Sequence, residues 1–218
     1  MLGCETGSTA SVMKIASILS VAALLISGGI DGVSACQGNE VLYQERFDTG
    51  GSSWGSHPWM KFERGKLLIT PDAGSNLSIH SPSGLLEDYD VCADLVQRNG
   101  NATGGYASLL FWSKDATNFY TFDVSVFGHI RVSRLQNNAW RVPVPWKQAR
   151  AVSPGSSVNK LRVRTLGNRV TVFVNGIEVA SLQAQRPSGG SLVGVMAVAP
   201  TAARGVFEFD NFTVTRTK

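Results

Sequence analysis

Four carboxylates in the sequence are candidates for acid–base chemistry. Glu208 and Asp210 are two residues apart, so both would point to the same side of a β-strand. Two carboxyl groups about 5 to 5.5 Å apart can serve as nucleophile and general acid in a retaining glycosidase. Asp94 and Asp123 are further candidates. The four can act together only if the fold brings them to one pocket.

Other catalytic signatures are missing from the sequence. It contains no C-x-x-C pair of the kind that binds structural zinc. His57, His80 and His129 are isolated from one another. The stretch 100–105 (GNATGG) lacks the strand-to-helix context of a phosphate-binding loop, so we interpret it as a strand connection.

Aromatic and basic residues are concentrated between residues 98 and 150. An indole ring offers a flat apolar surface to the C–H bonds of a sugar, and arginine can bond a carboxylate or sulfate with two parallel N–H groups. We therefore predict a carbohydrate-binding surface in this region. Its candidate residues are Arg98, Trp112, Tyr120, His129, Trp140 and Trp146.

Strand parity predicts where some of these side chains point. Trp112 alternates with Tyr106 and Leu110 along one predicted strand, so we expect the three to share an open, concave face of a sheet. Trp140 and Trp146 have an alternative, which is to pack over an edge strand shaped by the two prolines between them.

The phase of the last predicted strand slips near Asp210-Asn211. Phe209 and Phe212 have opposite parity, so both can be buried only if a β-bulge or bend intervenes. Asp and Asn oxygens suit calcium, which makes Asp210 and Asn211 weak calcium candidates. Alternatively, their side chains bond the bulged backbone. No other cofactor is expected.

Residues 1–35 have the features of a secretory signal peptide. Lys14 precedes the apolar run 15–26, and residues 33–35 (VSA) offer small side chains to a signal peptidase. The run is shorter than the roughly 20 residues that a membrane-spanning helix needs. A start at the second methionine would be more typical, so residues 1–12 are not necessarily translated.

Cys36 follows the predicted cleavage site directly and leaves two interpretations open. Plain cleavage, which we favour, places it at the mature N-terminus. Alternatively, residues 33–36 (VSAC) form a bacterial lipobox and Cys36 carries a lipid anchor. Export would also permit a disulfide between Cys36 and Cys92, with a buried free thiol at Cys92 as the alternative.

Residues 36–218 form one predicted domain with a small positive charge. Of the 20 Lys and Arg and 16 Asp and Glu in the 218-residue chain, this range holds 19 and 14, a formal charge of +5. So small an excess, together with predicted export, argues against a nucleic-acid partner.

The mature range predicts an all-β fold. It has no extended helical period and consists of short alternating segments between turn residues, which is typical of a two-sheet antiparallel β-sandwich. Asn175-Gly176 lies between two such segments and predicts a type I′ hairpin turn. The predicted strands are 40–47, a hairpin at 60–70, 76–81, 89–98, 105–112, 119–126, 129–136, 159–166, 169–174, 177–182, 191–199 and 205–216.

Several of these segments resemble a known superfamily. Residues 118–146 (NFYTFDVSVFGHIRVSRLQNNAWRVPVPW), 159–182, 194–199 (GVMAVA) and 207–214 (FEFDNFTV) resemble a concanavalin A-like lectin/glucanase domain. The nearest branch is that of the 3-keto-disaccharide hydrolase-like and laminin-G-like bacterial exported domains. The resemblance implies a concanavalin A-like jelly roll over about residues 40–216. It leaves activity open, because members include sugar binders, hydrolases and domains without a known ligand.

The sequence departs from the catalytic members of this superfamily. Glucanases place Glu, Asp and Glu at positions i, i+2 and i+4 or i+5 of one strand, whereas Glu208 and Asp210 are followed by Phe212 and Thr213. The 3-keto-disaccharide hydrolase-like domains resemble residues 93–112. There an acidic residue is expected near Gln97 and an arginine near Trp112, and this chain carries an amide and an indole instead.

We therefore predict an exported carbohydrate-binding or interaction module without catalysis, whose partner is a glycan or glycoconjugate. One alternative is a glycoside hydrolase of the 3-keto-disaccharide hydrolase-like group, which would use Glu208, Asp210, Asp123 or Asp94. Another is a structural envelope or adhesion domain. The expected location is secreted or periplasmic, or membrane-anchored if Cys36 is acylated.

Overall fold

The computed structural model describes residues 36–50, 52–98 and 104–217. These residues form an all-β, two-sheet sandwich and belong to one compact unit, as the sequence predicts for the fold. The predicted signal peptide lies outside the described residues. In the described part of the chain, no helix is long and apolar enough to cross a membrane.

Fourteen strands make up the described part of the sandwich. An eight-stranded sheet has the order β12-β11-β10-β5-β14-β3-β2, with β1 also paired to β14, and a six-stranded sheet has the order β4-β13-β6-β7-β8-β9. The strands are β1 Val41–Glu45, β2 Met60–Phe62, β3 Leu67–Ile69, β4 Asn76–His80, β5 Tyr89–Gln97, β6 Tyr106–Asp115, β7 Asn118–Ser125, β8 His129–Gln136, β9 Ala139–Gln148, β10 Asn159–Leu166, β11 Arg169–Val174, β12 Ile177–Gln183, β13 Leu192–Val198 and β14 Phe207–Arg216.

Period-two patterning builds the core between the sheets. Tyr120, Phe122 and Val124 alternate along β7 and enter this core. Thr121 and Asp123 take the opposite parity and lie on the outer face of the six-stranded sheet, where both are nonetheless buried. The outer face therefore has structure of its own, which includes a small apolar cluster of Leu110, Phe119, Leu135 and Met196.

Strand β9 is the edge strand that the sequence offered as an alternative. Pro143 and Pro145 are tolerated there because an edge strand has one side without ladder hydrogen bonds. Its register with β8 shifts twice, between Ile130 and Val132 and between Val132 and Arg134. Each shift inserts one extra residue into β9 and so reverses the direction of the side chains that follow.

Asn175-Gly176 forms the predicted hairpin turn. Its φ angles are 51° and 82°, both positive as a type I′ turn requires. The Asn175 side chain also accepts a hydrogen bond from the Lys160 amide at 2.8 Å and donates one to the Ala151 carbonyl at 2.9 Å. The turn therefore joins β11 to β12 and ties both to neighbouring segments.

The N-terminal segment is fastened to the eight-stranded sheet. Cys36 forms a disulfide with Cys92, so Cys92 is not the free thiol that the sequence left as an alternative. The Gln37 amide donates to Asp90 Oδ2 at 3.1 Å, and the Gly38 amide donates to Thr215 Oγ1 at 3.0 Å.

The predicted bulge at Asp210-Asn211 is present. The register between β14 and β5 shifts between Asp210 and Thr213, Asn211 has a φ of 50°, and both Phe209 and Phe212 are fully buried. The Asn211 amide donates to Asp210 Oδ1 at 2.6 Å. This contact is the side-chain-to-backbone bond that the structural alternative expected.

Candidate functional site

A buried carboxylate organises the outer face of the six-stranded sheet. Ser108, Asp123 and Arg131 are register neighbours on β6, β7 and β8. Asp123 accepts hydrogen bonds from Ser108 Oγ at 2.7 Å, Ser133 Oγ at 3.0 Å and Arg131 Nε at 2.7 Å. Because the carboxylate is fully buried and its oxygens are occupied, it orients Arg131 rather than acting on a ligand.

Two aromatic rings hold the guanidinium of Arg131. Its carbon Cζ lies 4.9 Å from the centre of the Tyr106 ring and 4.5 Å from that of Trp146, within cation–π range. We call Tyr106, Asp123, Arg131 and Trp146 the arginine clamp. Among the described residues, Asp123 is the one carboxylate in salt-bridge range of Arg131. The side chain remains 18% exposed, which leaves room for its Nη atoms to meet a ligand.

At neutral pH, the surroundings of the arginine clamp keep the Arg131 guanidinium and the Tyr106 hydroxyl as hydrogen-bond donors. Burial lowers the pKa of Arg131, but the charge and hydrogen bond of Asp123 raise it above its ordinary value overall. Burial, and then the negative charge of Asp123, raises the pKa of the Tyr106 hydroxyl. Arg131 therefore stays charged and Tyr106 stays protonated.

Three predicted binding residues lie on this outer face. Trp146 packs edge-on against Tyr106 at 5.5 Å, and Trp140 packs edge-on against Phe119 at 5.7 Å. Both tryptophans are on the same side of β9 because its two register shifts cancel in direction. They are 40% and 50% exposed. His129 precedes Arg131 by two residues on β8 and is half-buried on the same side.

Trp112 and Tyr120 point elsewhere, and the parity prediction for Trp112 is wrong. Strand β6 bulges between Phe111 and Asp115, and Trp112 has a φ of 49°, which turns it out of the row of Tyr106 and Leu110. It is 2% exposed and packs against Tyr120 at 5.6 Å. Both residues line a separate cavity of about 500 Å³ at one end of the sandwich.

Arg98 lies on the other sheet, apart from the tryptophans. Its Nε and Nη2 donate hydrogen bonds to the Glu208 carboxylate, and Lys66 Nζ donates to the same carboxylate at 2.9 Å. The hydrogen bond from Arg98 is the main cause that lowers the pKa of Glu208. Arg98 therefore takes part in a local ion-pair network.

The four candidate catalytic carboxylates do not converge on one pocket. Asp123 is buried in the six-stranded sheet, whereas Asp94, Glu208 and Asp210 belong to β5 and β14 of the eight-stranded sheet. Asp94 pairs with Lys160 at 3.1 Å. Burial is the main cause that raises the pKa of Asp210, and the positive charge of Lys66 opposes it in part. Asp123 is therefore separate from the other three, whereas Asp94 and Asp210 are register neighbours and Glu208 is two residues from Asp210 on the same strand.

The calcium candidates have other partners. Asp210 is bonded to the Asn211 amide, and the Asn211 side-chain amide donates to Asp94 Oδ2 at 3.0 Å. Within the described residues, the one group with metal-ligand spacing is Cys36, Asp90 and Cys92, and its two sulfurs form the disulfide. Asp210 and Asn211 are thus engaged with main chain and with Asp94, and the two sulfurs with each other.

The sequence analysis left Arg131 and Tyr106 out of the candidate site residues and missed the orienting role of Asp123. A usable signal was present, because β7 and β8 form a hairpin through Gly128. Pairing residues outward from that turn places Asp123 directly opposite Arg131. A buried acid opposite an arginine, beside exposed tryptophans, is a stronger indication than any one of these residues.

The chain is similar to solved structures of several other proteins. The carbohydrate-binding module CBM66 from Bacillus subtilis superposes with a TM-score of 0.56 at 18% identity, over 68% of this chain and 86% of that one. The carbohydrate recognition domain of Emp47p gives 0.62 at 15% identity, over 82% and 98%. A prokaryotic β-1,3-1,4-glucanase (lichenase) from a mouse hindgut metagenome gives 0.59 at 11% identity, over 80% and 99%.

These similarities establish the concanavalin A-like jelly-roll fold that the sequence resemblance implied. No protein-family model and no curated protein sequence matches the chain. The nearer resemblance to the 3-keto-disaccharide hydrolase-like branch stays a prediction, and the activity has to be argued from the site.

Proposed function

We propose that the protein is an exported, non-catalytic carbohydrate-binding module whose ligand lies on the outer face of the six-stranded sheet. The arginine clamp carries this proposal. A fixed guanidinium beside an exposed indole is suited to a sugar, because the indole receives its C–H face and the Nη atoms bond its hydroxyl oxygens.

The spacing of the two exposed tryptophans favours an oligosaccharide over a single sugar. Trp140 and Trp146 are six residues apart on one edge strand. A strand rises about 3.3 Å per residue, and the two extra residues in β9 reduce the separation to about four strand positions, so the two side chains are on the order of 13 Å apart along β9. A glycan chain that follows this strand would contact both rings and the Arg131 guanidinium near one end.

The fold supports the same assignment without fixing it. Two of the compared structures are named for carbohydrate binding or recognition, and a third is a glucanase. We favour binding for this chain because Asp123 is enclosed by its own hydrogen bonds, and Glu208 and Asp94 are held in ion pairs with Lys66 and Lys160.

The proposal includes export. A disulfide such as Cys36–Cys92 persists in secreted and periplasmic proteins and is rare in the cytosol. Its formation uses the thiol that a lipid anchor on Cys36 would require. We therefore propose signal cleavage before Cys36 and a secreted or periplasmic protein, in preference to a lipoprotein.

The test is a glycan array followed by calorimetry with the best oligosaccharide. We expect Trp146→Ala and Arg131→Gln each to weaken binding at least tenfold, and Trp140→Ala to weaken it less. The matched controls are Trp59→Ala, beside β2, and Arg98→Gln, on the opposite sheet, which should bind like the parent.

Two results would overturn the proposal. One is that no glycan on the array binds, or that Trp146→Ala and Arg131→Gln both bind as the parent does. The other is cleavage of the bound oligosaccharide, detected as new reducing ends after prolonged incubation. Circular dichroism of each variant separates a lost contact from a lost fold.

A further inference from the structure

We propose that the cavity at the end of the sandwich is a second binding site, distinct from the arginine clamp, and that it takes a carboxylated sugar. The cavity has a volume of about 500 Å³, within the range of small-molecule sites. Its wall combines the ends of β6, β7 and β8 with the segment 185–188.

The charges in the cavity wall favour an anion. Lys114, Arg134 and Arg186 contribute three cations, against one carboxylate from Asp115. Asp115 is held in its own turn by the Thr117 amide and hydroxyl, each at 2.7 Å. These hydrogen bonds lower the pKa of Asp115, so it stays ionised without pairing to the cations.

Two of the three cations lack a carboxylate partner within the described part of the chain. Arg186 pairs with Asp88 at 3.3 Å. Lys114 Nζ bonds two backbone carbonyls, those of Ser188 at 3.0 Å and Gly190 at 3.2 Å. Arg134 lies over the Tyr120 ring at 5.1 Å and makes one long bond of 3.4 Å to Gln185. Both Lys114 and Arg134 therefore keep donors for a ligand.

Trp112 supplies a second, independent indication. It lines the cavity, yet its indole Nε1 is buried without a hydrogen-bond partner among the described residues. Its φ of 49° is uncommon for a bulky residue, and a hydrogen bond from its amide to the Tyr89 hydroxyl at 2.8 Å holds it there. Strain combined with an unpaired buried donor is a recurrent property of ligand sites.

These groups together match the chemistry of a sugar acid. The planar fork of Arg134 pairs with a carboxylate through two parallel N–H groups, and Lys114 adds a second positive charge. Trp112 contributes its indole to the wall of the same cavity. Phe119 and Leu135 provide the apolar wall that a sugar ring needs.

The test uses D-glucuronate, with D-glucose as its neutral match and glucose 6-sulfate as the other anion. We expect glucuronate to shift the Trp112 indole N–H resonance, assigned with a Trp112→Phe variant, and to bind at least tenfold more tightly than glucose. Arg134→Gln and Lys114→Gln should each weaken it about tenfold. Arg64→Gln, an exposed control, and Trp146→Ala should leave it unchanged.

Each other outcome would overturn the assignment. An unshifted Trp112 resonance, or equal affinity for glucose, would rule out an acid-specific site. Binding of the sulfated sugar without glucuronate would show that the ligand class is wrong. Because Trp146 belongs to the arginine clamp and does not line the cavity, failure of glycan binding at the clamp would leave the result for the cavity standing, and the reverse also holds.

Discussion

Each sheet of the sandwich carries a buried arginine–aspartate pair against an aromatic ring on its outer face. In the six-stranded sheet, Arg131 Nε bonds Asp123 at 2.7 Å between the rings of the arginine clamp. In the eight-stranded sheet, Arg162 Nε bonds Asp90 at 2.8 Å and lies 4.4 Å from the centre of the Phe173 ring. The same chemistry therefore occurs twice.

The surroundings of the two pairs differ, and they decide what each pair does. Asp90 also accepts from the Gln37 amide beside the Cys36–Cys92 disulfide, and Arg162 is 7% exposed. That pair fastens the N-terminal segment to the sheet. Arg131 is more exposed and borders the solvent-facing Trp146. An ion pair that ties down main chain is structural, whereas one that leaves a guanidinium beside an exposed ring suits a ligand.

The largest expected effect on stability concerns the eight-stranded sheet, to which the Cys36–Cys92 disulfide fastens the N-terminal segment. The Cys36→Ser/Cys92→Ala double variant opens a covalent loop of 56 residues. Loop-closure entropy predicts a loss of about 4 kcal/mol in the free energy of unfolding. Urea denaturation followed by tryptophan fluorescence measures it, with dithiothreitol-treated parent as the control. Unchanged stability would contradict a structural role, and lost glycan binding by the folded variant would contradict the separation of the two faces.

Removing one carboxylate from each pair tests the difference directly. Asp90→Asn leaves Arg162 buried without its counter-charge and should cost about 3 kcal/mol in the free energy of unfolding. Asp123→Asn should cost about 2 kcal/mol, because Arg131 retains more contact with water.

Oligosaccharide binding should separate these two variants more clearly than their stability does. Calorimetry on Asp123→Asn should give at least tenfold weaker binding, since Arg131 loses its orientation, whereas Asp90→Asn should bind like the parent. If both variants lose affinity equally, the two pairs are not functionally distinct. An Asp123→Asn/Arg131→Gln double variant shows whether the two losses are coupled.

The sequence predicted the sandwich because alternation and turn residues are local signals. Asn175-Gly176 and the bulge at Asp210-Asn211 could both be located from neighbouring residues alone. The Trp112 direction could not, because parity counting assumes an unbroken pleat and β6 bulges at that residue.

The predicted site included residues that are close in sequence but lie on different sheets. Arg98 is close to Trp112 in sequence, but β5 and β6 belong to different sheets. The arginine clamp depends on three strands in register, so it became visible only when Asp123 was placed opposite Arg131.

The smallest expected effect concerns two hairpin turns, one in each sheet. Asn137-Asn138 joins β8 to β9 with φ angles of 49° and 63°, and Asn175-Gly176 joins β11 to β12 with 51° and 82°. The exposed Asn138 side chain makes no hydrogen bond to the described residues, whereas Asn175 bonds the Lys160 amide and the Ala151 carbonyl.

Replacing each asparagine with glycine keeps the positive φ at no steric cost and removes the side chain. Asn175→Gly should therefore cost about 1 to 2 kcal/mol in the free energy of unfolding, because two hydrogen bonds to main chain are lost. Asn138→Gly should change it by less than about 0.5 kcal/mol, within the range of ordinary surface substitutions. Urea titrations of the two variants under identical conditions measure both values. Equal losses of unfolding free energy would mean that Asn175 stabilises only its own turn. They would also mean that the asparagine in the eight-stranded sheet contributes no more to stability than the one in the six-stranded sheet.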